Sequence, residues 1–254
     1  KFFYNHLVQS VWEVIVPANS DIKTIEQLRG KKLGVSRLSS GSIPLLQAIL
    51  HESGIDEKKD LELVPVGFGG PAFRAIKSKQ IDALFLFDIM HEILQNTGYP
   101  IRRLAISDKQ LNLMGNGMLA SNDVIKNKGK QLAAFGRAVT KGAIACHANP
   151  GACVRMYWKH YPSKKPTKGS EADNIKKNVA MLKARFPKML PDPSSRRIGA
   201  YEPGPWKDFV SVLHETGKIK TTNIPVQDLY TNEFVPAFND FDRAAVIAAA
   251  KALN

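Results

Sequence analysis

Between Lys31 and Glu92 three short apolar runs alternate with two amphipathic ones, and this alternation narrows the possible folds more than any other feature of the chain. Leu61–Val66 and Ile81–Phe87 are almost continuously apolar, and Lys32–Ser36 is short and β-branched at Val35. Between them, Ile43–Ser53 carries Leu46, Ile49 and Leu50 on one face of a 3.6-residue period, and Ala72–Lys79 is amphipathic as well. Strands covered on both faces lose the in–out alternation of side chains, and helical crossovers make neighbouring strands parallel. The stretch is therefore predicted as a βαβαβ unit, and the chain as α/β. Each strand runs into a small or polar turn: Ser39-Ser40-Gly41-Ser42, Gly67-Phe68-Gly69-Gly70 and Asp88. Ligands of open α/β sheets sit beyond the carboxyl ends of the strands, so these turns are the first candidates for a site.

The flanks extend the pattern. Trp12–Val16 reads as a strand closed by Pro17, and Thr24-Ile-Glu-Gln27 is a capping-box pattern opening a short helix to Leu28. A helix is predicted from about Ile89 to Asn96, and a further strand over Arg102–Ile106. Beyond that the texture changes. Asn112–Ser121 reads as extended. Asp123–Tyr161 predicts two helices broken at Asn149-Pro150. Ala172–Phe186, Trp206–Thr216 and Phe241–Leu253 predict three more, the last capped by Asn239 or Asp240, with Ser163–Lys168 and Pro187–Pro193 as loops.

The turns carry the chemistry. Ser39, Ser40, Gly41 and Ser42 precede a helix, so hydroxyls, backbone N–H groups and the positive helix end face an anion or polar head, or the serines simply cap the helix. Phe68 offers an aromatic wall within a glycine turn, or the glycines serve the turn alone. Asp88 and Glu92 stand at i and i+4, one face of a helix, where a carboxylate pair suits a cation, a donor-bearing ring or acid–base work. The plainer readings are capping for Asp88 and solvent for Glu92. His91-Glu92 resembles the start of a zinc-protease motif, but position 95 is Gln95. No Gly-Lys-Ser/Thr follows the serine turn, and no Gly-x-Ser-x-Gly elbow occurs. The residues therefore call for no metal, no cofactor and no catalytic group.

The chain of 254 residues carries a formal net charge of +13. The excess lies in Lys126–Arg197, with 17 basic and 3 acidic residues, and reads as a solvated basic face or a docking surface. No run approaches the ~18 apolar residues of a transmembrane helix, and the opening residues Lys1 to His6 lack a signal-peptide pattern. Cys146 and Cys153 flank the Asn149-Pro150 break, as a disulfide of an oxidising compartment or as two buried thiols.

Four passages, in order along nearly the whole chain, resemble the NMT1/THI5-like branch of the periplasmic solute-binding proteins of ABC importers. They are Asp21-Ile22 with Leu28-Arg29-Gly30-Lys31-Lys32-Leu33-Gly34-Val35, Gly41-Ser42 with Leu50 and Gly54-Ile55, Ile76 with Gln80-Ile81-Asp82-Ala83, and Thr231-Asn232-Glu233-Phe234 with Asn239-Asp240-Phe241-Asp242. The resemblance implies a two-lobed type II periplasmic-binding-protein fold closing on a ligand. Lobe two is then residues 12–105, and lobe one residues 1–11 and 106–254, with the amino-terminal part of lobe one missing. It implies a periplasmic monomer that delivers a small molecule (a sulfonate, carboxylate, nitrate or aminopyrimidine) to an ABC permease, without catalysis and without nucleic acid. The spacing of Asp82 and Glu92 is similar to that of the family's pyrimidine binders, which commonly have Asn where this chain has Met90. Two alternatives share the architecture. One is the effector domain of a transcription regulator. The other is a pyrimidine-forming enzyme, disfavoured because that branch uses a cysteine-rich iron motif and this chain has two cysteines.

Overall fold

A computed structural model describes residues 1–253. The first strand, β1 (Phe2–Asn5), belongs to one compact unit, after which the chain enters a second. There β2 (Trp12–Pro17), β3 (Lys32–Val35), β4 (Glu62–Pro65), β5 (Ala83–Phe87) and β6 (Ile101–Arg103) form one sheet in the order β4-β3-β5-β2-β6. Helices α1 (Ile43–Glu52), α2 (Gly70–Lys77), α3 (Asp88–Gln95) and α4 (Asp108–Leu111) are interleaved with the strands. β3 pairs in parallel with β4 and β5, which is the predicted βαβαβ unit. β2 is antiparallel to both β5 and β6.

The central strands β3, β5 and β2 are apolar because both of their faces are covered, while the edge strands β4 and β6 are only partly buried. Leu33, Val35, Ala83, Phe85, Val14 and Val16 point to a core filled by α1. Leu84, Leu86 and Ile15 point the other way, to a core filled by Ala72, Phe73 and Ile76 of α2 and Leu94 of α3. Gly34 falls on this second face, where an added Cβ would lie 2.4 Å from Ile81 Cδ1. Glycine there lets the crossover close onto the strand.

A polar network fixes α3 across two strands. His91 is fully buried, and its Nδ1 lies 3.1 Å from Glu13 Oε2 on β2. Arg103 on β6 donates to the same Glu13 oxygen at 2.9 Å and to Glu92 Oε1 at 2.5 Å. Burial works against the Arg103 charge, but Glu13 and Glu92 outweigh it and hold the guanidinium above its ordinary range. Burial also pushes the His91 imidazole below its ordinary 6.5, with Glu13 opposing, Arg103 adding to the fall and Asp88 resisting it.

The chain returns to the first unit with β7 (Gly117–Leu119), antiparallel to β1, and then α5 (Asn122–Asn127), α6 (Gly129–Ala148), α7 (Pro150–His160) and α8 (Glu171–Met189). Helix α9 (Pro203–Glu215) then packs Val212 and Phe209 into the α1-side core of the sheet. Finally α10 (Val235–Phe238) and α11 (Arg243–Lys251) pack against α6 around Tyr4, Ile144, Phe234 and Phe238. Cys146 and Cys153 form a disulfide across the α6–α7 break. Among the described residues no helix is long and apolar enough to cross a membrane.

Several boundaries differ from the sequence reading. The two compact units are Lys1–Val8, Met114–Pro203 and Pro225–Asn254, and Gln9–Leu113 with Gly204–Ile224. Residues 204–224, read as lobe one, therefore lie with the sheet unit, because α9 carries its apolar face there. The helical stretch from Asp123 breaks also at Lys128, which separates α5 from α6. Helix α8 runs through Pro187, since Leu190 N–H still reaches Phe186 O at 2.7 Å. The cap of α11 is Asp242, whose Oδ1 accepts from Ala245 N–H at 3.0 Å. Asn239 is instead buried, donating to Ile198 O and Val235 O. The turn from Thr24 closes only a 3-10 turn at Glu26–Leu28, with Gln27 reaching back to the Lys23 and Thr24 N–H groups.

Two outcomes follow from this packing. Reduction of the disulfide lowers stability by about 2–3 kcal/mol through the freed unfolded chain, measured as the urea midpoint with and without reductant. Below pH 6.5 an unfolded His91 binds a proton that the folded one refuses, so stability falls as the pH drops through that range. The urea midpoint of His91→Gln then varies less between neutral and mildly acid pH than that of the parent chain, with His6, also depressed by burial, supplying the remainder.

Candidate functional site

The parallel register sets β4, β3 and β5 side by side, so their carboxyl ends lie along one edge of the sheet. The turns that follow are joined there. Gly67 N–H donates to Ser36 O at 3.0 Å, which stitches the glycine turn to the end of β3. Gly67 and Gly69 both have positive φ, +74° and +61°, a backbone state that only glycine enters without strain. That conformation carries Phe68 outward, half exposed, with its ring 6.0 Å from Phe87.

The serine turn is built around the amino terminus of α1. Ser42 occupies the N-cap position but has helical φ and ψ, and its side chain makes no capping hydrogen bond. Its Oγ instead lies 2.9 Å from Ser40 Oγ, and Ser42 N–H donates to that same Ser40 oxygen at 3.3 Å. Ser39 and Gly41 are exposed, Ser40 is half-buried and Ser42 is buried. Arg37, two residues past the end of β3, is exposed in the same turn and fixes it by accepting Ser40 N–H at its carbonyl, 3.1 Å.

The two carboxylates do not stand as a pair open to solvent. Asp88 is fully buried, and its Oδ1 accepts the N–H of Ile89 at 2.7 Å, so it serves its own helix start. Its backbone N–H reaches back to Val11 O at 2.9 Å. Glu92 is bound to Arg103. The turn past β5 thus exposes little free negative charge.

Two residues of this edge escaped the sequence reading. Ser36 is buried at the carboxyl end of β3, and its Oγ has no hydrogen-bond partner among the described residues. As one polar residue closing an apolar run, it gave no signal of its own. Trp12 opens β2, which runs antiparallel to β5, so Trp12 is paired directly with Phe87. Its indole stacks on Phe85 at 5.4 Å and meets Phe87 edge-on at 5.7 Å. Trp12, Phe87 and Phe68 form a connected aromatic rim beside the serine turn. A tryptophan at the start of a strand was a visible signal, but strand direction was not. Two other hollows of this unit, one along β4 and α2 and one between Lys23–Glu26 and α1, do not include the serine or glycine turn residues. No group of metal-ligating side chains able to hold an ion occurs among the described residues.

Comparison with known proteins agrees with this architecture. The alkanesulfonate-binding protein SsuA of Xanthomonas axonopodis pv. citri, solved with MOPS, superposes with a TM-score of 0.65 at 15% identity, covering 90% of this chain and 73% of that one. The periplasmic aliphatic sulphonate-binding protein SsuA of Escherichia coli gives 0.65 at 15%, covering 86% and 66%. The desulfurization enzyme DSZB gives 0.55 at 12%, covering 94% and 78%. At such identities these likenesses show the fold, the type II periplasmic-binding-protein fold. No curated protein sequence matches the chain. The model of the NMT1/THI5-like family matches residues 2–153, more than half of the sequence, and the chain belongs to that family.

Proposed function

We propose that this chain is a solute-binding component of an ABC importer that captures a small organic anion of the sulfonate or carboxylate class, in the periplasm. The observation that carries the reading is the amino terminus of α1. Its cap serine is turned away from capping, and a ten-residue helix directs its positive end at the serine turn. Ser40 and Ser42 supply hydroxyls, the Ser36 hydroxyl is buried without a partner, and Arg37 adds a cation. The rim of Phe68, Phe87 and Trp12 suits the apolar part of such a molecule. On the other side of the balance, Glu92 is neutralised by Arg103 and Asp88 is spent on its own helix. A cationic ligand or an aminopyrimidine thus finds less to bind than an anion does. That the SsuA proteins are sulfonate binders supports the same class.

Binding without chemistry fits the side chains better than catalysis does. The fold is shared with a desulfurization enzyme, studied also with a cysteine replaced by serine. Both cysteines of this chain are tied to each other in a disulfide, so neither is a free thiol nucleophile.

A thermal-shift screen with an alkanesulfonate, benzoate, nitrate and an aminopyrimidine tests the reading. At a hundredfold excess over Kd the melting midpoint rises roughly 5–10 °C with the sulfonate or carboxylate. In titration calorimetry, Arg37→Ala and the double variant Ser40→Ala/Ser42→Ala each weaken that binding about tenfold or more. A shift with the aminopyrimidine alone would sink the anion assignment, and no shift with any of them would sink solute capture.

A further inference from the structure

We propose that α7 and the segment after it form a docking surface for an anionic phospholipid bilayer. From Val124 to Ser170 the chain has ten lysines and arginines and no acidic residue. Such a stretch attracts a negatively charged surface before any specific contact forms. The stretch is helical over most of its length, and one part of it carries apolar groups outward as well.

That part is Met156-Tyr-Trp-Lys-His-Tyr-Pro-Ser-Lys-Lys165. All of it is exposed except Trp158, which is buried and anchors the helix. Tyr157 and Tyr161 are four residues apart, with ring centroids 5.2 Å from each other. Together with Met156 and Leu253 they border a groove of 590 Å³. Contiguous exposed apolar surface of this kind marks an interaction site. Lys159, Lys164 and Lys165 are interleaved with these groups, and Lys165 Nζ lies 5.8 Å above the Trp158 ring. Tyrosine rings with a polar tip, set among exposed lysines with apolar stems, match the headgroup layer of a bilayer, with Lys159 and Lys164 as the charges offered to it and Lys165 paired with Glu171 at 2.7 Å. The match needs no fixed pattern of hydrogen-bond partners, as a protein interface would.

The surface is also held rigid. The Cys146–Cys153 disulfide ties the start of α7 to the end of α6. Asn149 Oδ1 accepts Ala152 N–H at 3.0 Å, while its Nδ2 donates to Ala250 O at 3.0 Å and Leu253 O at 2.9 Å. One side chain therefore caps α7 and holds the end of α11 against it. The aromatic groups are presented in a fixed array, which spares the ordering cost that a flexible tail would meet on docking. The inference is independent of which solute the serine turn takes.

Co-sedimentation of the full chain with lipid vesicles provides the test. The chain partitions onto vesicles of mixed phosphatidylglycerol and phosphatidylcholine at low salt, less so at high salt, and not onto pure phosphatidylcholine. Lys159→Glu with Lys164→Glu lowers the partition coefficient about tenfold or more. Tyr157→Ser with Tyr161→Ser lowers it while leaving the salt dependence in place. Lys58→Glu with Lys218→Glu, the same charge change on exposed positions of the other unit, leaves it nearly unchanged. All of these positions are exposed, so an unchanged melting midpoint confirms that each variant is folded. Absence of partition onto the anionic vesicles, or an equal loss in the Lys58/Lys218 variant, overturns the proposal. So does self-association in sedimentation velocity that the tyrosine substitutions abolish, which would give the surface to a second copy of the chain.

Discussion

The parallel pairing of β3 with β4 on one side and β5 on the other is the constraint from which the rest of the sheet unit follows. It requires two crossovers, and α1 and α2 must then leave by opposite faces to bury what the strands expose. The same pairing decides where chemistry is available. Backbone groups inside the sheet are already paired, and helix sides are spent on packing. What remains is the row of turns at the carboxyl ends, where a helix start, unsatisfied hydroxyls and a left-handed glycine backbone meet. The aromatic rim depends on the register too, since Trp12 reaches that edge only because β2 enters antiparallel to β5.

Charge is distributed with a similar economy. Arg103 gathers Glu13 and Glu92, and Glu13 holds His91 in turn, so α3, β2 and β6 are joined through one guanidinium. Partly buried, such a network costs desolvation but leaves no charge without a partner. Its by-product is the electrostatic bias of the strand-end edge. Negative side chains near the turns are occupied, while Arg37 and the α1 terminus are not drawn inward.

What the sequence made legible, and what it hid, follows from the range of each interaction. Ile81–Phe87 could be read as a strand because burial on both faces leaves its mark along the run, whereas Leu61–Val66 shows the apolar pattern although it lies at the sheet edge with Glu62 and Pro65 exposed. Each crossover helix showed itself through its own 3.6-residue period. The serine turn was visible as a polar break before a helix. Direction was not visible: the apolar pattern of Trp12–Val16 is the same whether it runs parallel or antiparallel to its neighbours, so Trp12 went unnoticed. The role of Glu92 depended on Arg103, a partner on another strand that no local pattern reveals. The allegiance of α9 was hidden likewise, because Val212 and Phe209 would suit any apolar face. Asp242 was displaced as a candidate cap by Asn239 and Asp240, equally good capping residues, and only the buried contacts of Asn239 decide between them.

The passage of α9 into the sheet unit bears on how the chain is made. Residues 9–113 emerge during synthesis as an apparently self-sufficient α/β segment, yet one side of their core is closed by Val212 and Phe209. Until the ribosome has passed Ile224, that side stays uncovered, and the segment carries an apolar face looking for a partner. Closing the core of the sheet unit thus waits on synthesis of residues 114–203, the part of the helical unit that lies between its two pieces in the chain. Neither unit corresponds to a contiguous fragment, and the boundary between them is a property of the finished molecule rather than of the order in which it is built.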